Sequence, residues 1–67
     1  MKLKINNNIR AFDNEVSIAE ILDELKISRN HGIAVALNYT VVTKDLFSHT
    51  YPKDGDSLDI IHATAGG

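Results

Sequence analysis

One stretch of the chain carries a helical stripe, and segments of strand-like alternation or apolar β-branched residues lie on both sides of it. Ile18, Ile21, Leu22 and Leu25 fall at i, i+3, i+4 and i+7, the spacing that puts apolar side chains on one face of an α-helix. Ser17 stands in the N-cap position and Glu20 follows three residues later, which together spell a capping box. Val16, just before the cap, is placed to staple onto Ile21, and Lys26 near the end suits the helix dipole. Asn30 and Gly32 punctuate the way out. With a single helix in 67 residues, the core can only form if that helix lies across a sheet supplied by the rest of the chain.

The sheet is legible in pieces. Lys2 to Asn6 alternates polar and apolar, which places Leu3 and Ile5 inward and the lysines outward. Asn6-Asn7-Asn8 is a turn, because asparagine tolerates positive φ. Ile9 to Phe12 returns as the second arm of a hairpin. After the helix, Ile33 to Leu37 is an apolar, β-branched strand, Asn38-Tyr39-Thr40 a turn and Val41-Val42 a short strand. Thr43 is placed to cap one helical turn over Lys44 to Phe47, and His49 to Tyr51 is weakly extended. Pro52 to Asp56 is a strong turn, and Leu58 to Ala63 forms the last strand. The expected architecture is α+β: a mixed sheet of about five strands with one main helix packed across it, first and last strands adjacent in the middle. That is a β-grasp arrangement. The domain is expected to span residues 1–63, with 64–67 a flexible tail.

Composition narrows the function. Without cysteine there is no disulfide framework, zinc ribbon or thiol nucleophile. A net charge of −2 argues against a nucleic-acid surface. The longest apolar run, Ile33 to Leu37, is far short of a membrane span, and Met1-Lys2-Leu3-Lys4 does not open a signal-peptide core. The expectation is a soluble cytoplasmic protein. His31, His49 and His62 share no metal-ligand spacing, and Asp54-Gly55-Asp56 lacks the rest of a calcium loop. No phosphate loop or nucleophile elbow occurs. No catalytic residue, metal site or bound cofactor is expected.

What remains is the ending, Ala65-Gly66-Gly67. Two closing glycines arise by chance in roughly 0.5% of chains, given a glycine frequency near 7%. A tail without Cβ atoms threads a narrow tunnel and lets its backbone approach a ligand closely. Its carboxylate becomes reactive once adenylated by ATP, after which a sulfur donor can displace AMP.

The chain resembles the ThiS-type sulfur carriers of thiamine biosynthesis, relatives of the MoaD-type carriers of molybdopterin synthesis; both are ubiquitin-like β-grasp proteins. The resemblance rests on the Lys2–Ile5 strand with its Asn-rich turn, Val16 to Leu22, Ile33 to Asn38, Lys53-Asp54-Gly55-Asp56, Leu58 to Ile61 and Ala65-Gly66-Gly67. It departs at Val42-Thr43-Lys44, where such sequences often read Val-Pro-Arg; Lys44 keeps the charge. The resemblance implies that a ThiF-type adenylyltransferase, using ATP and Mg²⁺, activates Gly67. A persulfide charged by a cysteine desulfurase or sulfurtransferase then leaves a thiocarboxylate, and thiazole synthase of the ThiG type takes the sulfur. Ala65, Gly66 and Gly67 would enter the partner's active site. The protein is then a cosubstrate, not an enzyme. The alternatives are a MoaD-type carrier, a ubiquitin-like modifier joined to lysines through Gly67, and a plain binding domain with an incidental ending.

The alternation of the last strand also suggests a docking face. If Leu58 and Ile60 point to the helix, then Asp59, Ile61 and Ala63 lie opposite, and Ala34 and Ala36 share that face when Val35 and Leu37 are inward. Asp54, Asp56 and Asp59 are candidates for steering a basic partner or for solubility.

Overall fold

A computed structural model describes residues 1–28 and 32–62. Five strands form one sheet: β1 (Lys2–Ile5), β2 (Asn8–Ala11), β3 (Ile33–Leu37), β4 (Thr40–Val42) and β5 (Ser57–His62). Helix α1 (Ile18–Glu24) covers one face, and a 3-10 helix (Lys44–His49) joins β4 to the turn before β5. The spatial order is β2-β1-β5-β3-β4. β1 and β5 run parallel through Lys4↔Ser57 and Ile5↔Leu58, while the other pairings are antiparallel. First and last strands do meet in the middle. Among the described residues no helix is long and apolar enough to cross a membrane.

The core is the apolar stripe of α1 pressed on the inward residues of the sheet. Leu3, Ile18, Ile21, Leu22 and Leu58 are completely buried, with Val35, Phe47, Ile60, Ile5 and Phe12 filling the space between them. Each such side chain contributes about 1.5–3 kcal/mol by leaving water. The capping box forms as spelled: Glu20 N–H donates to Ser17 Oγ at 3.1 Å, and Ser17 N–H donates to Glu20 Oε1 at 2.9 Å. Val16 packs against the core beside it.

Several boundaries differ from the sequence reading. The helix closes at Glu24, and Lys26 lies beyond it with φ of 61°. There Ile27 N–H reaches Leu22 O at 2.9 Å and Lys26 N–H reaches Asp23 O at 3.1 Å. This is the paired closure in which a left-handed residue, usually glycine, satisfies the last carbonyls. Lys26 therefore serves the end of the helix through its backbone, not as a cation in the last turn. The single turn expected over Lys44 to Phe47 extends as a 3-10 helix to His49, which takes His49 out of the extended segment, and the Thr43 side chain makes no capping bond. The second strand is Asn8–Ala11, leaving Phe12 in the core, and β5 begins at Ser57.

Both hairpins turn on two residues with positive φ, Asn6 (48°) and Asn7 (72°) in the first, Asn38 (49°) and Tyr39 (69°) in the second. Two left-handed residues give the tight loop whose twist matches the flanking strands.

Candidate functional site

β5 decides which residues face outward. Leu58 and Ile60 are buried under α1, so Asp59 and Ile61 point to the uncovered side. The register brings the expected neighbours beside them: Ala34 lies opposite Ile61, and Ala36 opposite Asp59. Ile61 is 58% exposed. The expected face is therefore assembled in Ala34, Ala36, Asp59 and Ile61. Ala63, Ala65, Gly66 and Gly67 lie outside the described residues, as does His31.

The structure adds Val41. It sits opposite Ala36 across the β3–β4 ladder and is 70% exposed. The signal was present in the sequence. Once Ala36 faces outward, a two-residue turn at Asn38-Tyr39 puts Val41 on the same face. Four apolar residues from three strands thus line one side of the sheet, with Asp59 among them.

The strand carrying this face is held at both flanks by asparagines. Ser57 N–H donates to Asn38 Oδ1 at 2.9 Å, and Asn38 N–H donates to Ser57 O at 2.8 Å. On the other flank, Ile60 N–H donates to Asn6 Oδ1 at 2.8 Å while Asn6 Nδ2 donates to Ile60 O at 3.2 Å. β1 has turned away by this point, and the Asn6 carboxamide replaces its backbone.

Two of the three aspartates considered for steering do other work. Asp54 Oδ1 accepts from Lys2 N–H at 2.6 Å, and Asp56 Oδ2 accepts from Lys53 N–H at 2.8 Å. They lock the turn around Gly55, whose φ of +88° suits glycine. Asp59 alone of the three lies on the outer face.

Among the described residues no group of three or more His, Asp or Glu is placed to hold a metal ion. Two open hollows lie along the first hairpin and α1. One, of about 240 Å³, lies between Phe12 and Glu24; the other, of about 220 Å³, lies between Ile9 and Leu25. Both are below the usual size of a small-molecule site, ~300–1,000 Å³.

A mixed five-stranded sheet grasping one helix, with first and last strands parallel at its centre, makes this a ubiquitin-like β-grasp protein. Comparison with known proteins narrows that class. The ThiS family matches residues 3–67, and the chain belongs to that family. The crystal structure of the thiamine biosynthesis protein ThiS from Geobacter metallireducens superposes with a TM-score of 0.85 at 29% identity, covering 100% of both chains. Its solution structure gives 0.80 at 29% identity, over 100% of this chain and 88% of that one. A protein of Paramagnetospirillum magneticum named thiazole synthase is 33% identical over 67 residues, and the chain spans only 20% of its length.

Proposed function

We propose that this chain is a sulfur carrier for thiazole formation in thiamine biosynthesis, with the Gly67 carboxylate as the group that carries sulfur. The observation behind this reading is a ThiS match that runs through Gly66-Gly67 on a β-grasp body.

Chemically, the Gly67 carboxylate oxygen attacks the α-phosphate of ATP and releases pyrophosphate. The activating enzyme is an adenylyltransferase of the ThiF type, which supplies Mg²⁺. The terminal sulfur of a donor persulfide then attacks the acyl carbonyl and expels AMP. A second thiol takes the donor's remaining sulfur as a disulfide and leaves the thiocarboxylate. A dithiol reductant opens that disulfide and returns the donor thiol, which a sulfurtransferase or cysteine desulfurase recharges to a persulfide. Thiazole synthase is the acceptor. In support, a unit similar to this whole chain occupies a fifth of a polypeptide named thiazole synthase.

The chain's own part is to present the tail. Gly66 and Gly67 lack side chains that would block a narrow channel. Ala34, Ala36, Val41, Asp59 and Ile61 offer the surface on which the partner rests while the tail is inside.

The test is the intact mass of the protein after incubation with a ThiF-type enzyme, ATP, Mg²⁺ and sulfide. The expected result is a gain equal to sulfur replacing one oxygen, lost when Gly67 is deleted. No gain with an enzyme active on its own carrier would overturn the reading.

A further inference from the structure

The second hairpin contains a residue that its turn does not favour. Tyr39 has φ of 69° and the residue is 85% exposed. A two-residue loop with both residues left-handed selects asparagine, aspartate and glycine. For an aromatic residue that backbone region is an outlier. The same molecule shows the ordinary solution: the first hairpin uses Asn6 and Asn7 at the equivalent positions. Asn38 is also accounted for, through its bonds to Ser57. Tyr39 has no hydrogen bond or ion pair among the described residues and almost no packing. Nothing among the described residues rewards its presence, and an aromatic side chain held against its backbone preference and offered to solvent points to recognition.

Its position says what would recognise it. Tyr39 sits at the tip of the β3–β4 hairpin, whose outward residues Ala34, Ala36 and Val41 lie beside Ile61 of β5. Ile33 lies opposite His62, the last described residue of β5, and Tyr39 is six residues further along the hairpin. At about 3.4 Å per residue the tip stands ~20 Å from the end of β5. A partner footprint of about 800 Å² spans both places. Tyrosine is also among the side chains that most often anchor such footprints.

We propose that Tyr39 is a specificity-determining contact for the adenylyltransferase that activates the tail, its ring seated in an apolar cleft of that enzyme while the tail occupies the active site. The inference rests on the sulfur-carrier reading. A contact so far from the reacting carboxylate binds ground state and transition state alike, so it acts on KM and leaves kcat alone.

Tyr39→Asn tests this, because it copies the first hairpin and so preserves the turn. Steady-state adenylation by a ThiF-type enzyme is measured for both proteins, alongside thermal unfolding. The expected outcome is KM raised tenfold or more, kcat within twofold, and a melting temperature equal to or above that of the parent. Tyr39→Phe separates ring from hydroxyl and retains most of the affinity. A KM within twofold of the parent for Tyr39→Asn would overturn the inference, and so would a lowered melting temperature, which would make the tyrosine structural. Failure of the parent chain itself to be adenylated would instead remove the sulfur-carrier reading, and this inference with it.

Discussion

The Asn6 clasp makes the sharpest prediction about what holds the outer face in place. β1 pairs with β5 only through Lys4↔Ser57 and Ile5↔Leu58, so the backbone groups of Ile60 on that flank depend on the Asn6 side chain. Each hydrogen bond contributes about 0.5–1.5 kcal/mol, so the pair is worth about 1–3 kcal/mol. Asn6 also has φ of 48°, where a side chain such as alanine's adds about 1–2 kcal/mol of strain. Asn6→Ala should then destabilise by about 2–5 kcal/mol, and Asn6→Gly, which relieves the backbone, by about 1–3 kcal/mol. Domains of this size hold roughly 3–10 kcal/mol in total, at 0.05–0.15 kcal/mol per residue. The glycine variant is therefore the informative one. Urea unfolding is the assay. With m near 1 kcal/mol/M, its midpoint should fall by about 1–3 M with m unchanged. Asn6→Asp keeps the acceptor for Ile60 N–H but faces a carboxylate toward Ile60 O, and should be no more stable than Asn6→Gly. An Asn6→Gly midpoint within about 0.3 M of the parent would refute the reasoning, because the clasp would then carry no net energy.

Three further predictions follow from single residues. Ser17→Ala removes the N-cap acceptor and should cost about 1 kcal/mol, seen as a melting temperature lower by about 4–8 °C. Gly55→Ala meets nothing within 4 Å, so its expected cost, about 1–2 kcal/mol by the same unfolding assay, comes from backbone conformation alone, and Gly55→Asn should cost less. Ile61→Asp should leave stability within about 1 kcal/mol, since the residue is more than half exposed, while raising KM for adenylation; unchanged kinetics would remove Ile61 from the docking face.

The helix was readable because its determinants are local. The Ser17–Glu20 pair and the Ile18–Leu25 stripe act within two turns, and they set the N-terminus correctly. The faces of β5 and β3 were readable for a similar reason, since alternation fixes parity once one residue is known to be buried. What sequence could not supply was conformation that depends on distant partners. Lys26 takes a left-handed backbone because Ile27 packs back toward the core, a choice that nothing in Leu25-Lys26-Ile27 announces. Asn6 looked like one of three turn asparagines, and its role toward Ile60 arises from a contact 54 residues away. Val41 is a different case: its signal is local, and its face follows once the second hairpin turn is two residues long instead of three.

These particulars converge on β5. Its alternate residues serve two purposes, with Leu58 and Ile60 closing the core under α1 while Asp59 and Ile61 look outward beside the chain that leads to Gly67. Because side chains alternate strictly, a slip of one residue would bury Asp59 and Ile61 and expose Leu58 and Ile60. Hydrophobic burial resists that slip. The polar contacts along the strand also resist it, and with greater positional precision: Asn38 brackets Ser57, Asn6 brackets Ile60, and Asp54 and Asp56 fix the turn that starts the strand. On the proposed reading, in which the tail is presented to a reacting centre inside another protein, activation depends on where the last strand begins and which way it faces. The side chains that set that position are asparagines and aspartates at turns, far from any chemistry. Substitutions at Asn6 or Asn38 should therefore weaken activation more than their loss of stability alone accounts for, and comparing adenylation rates at temperatures where each variant remains folded separates the two effects.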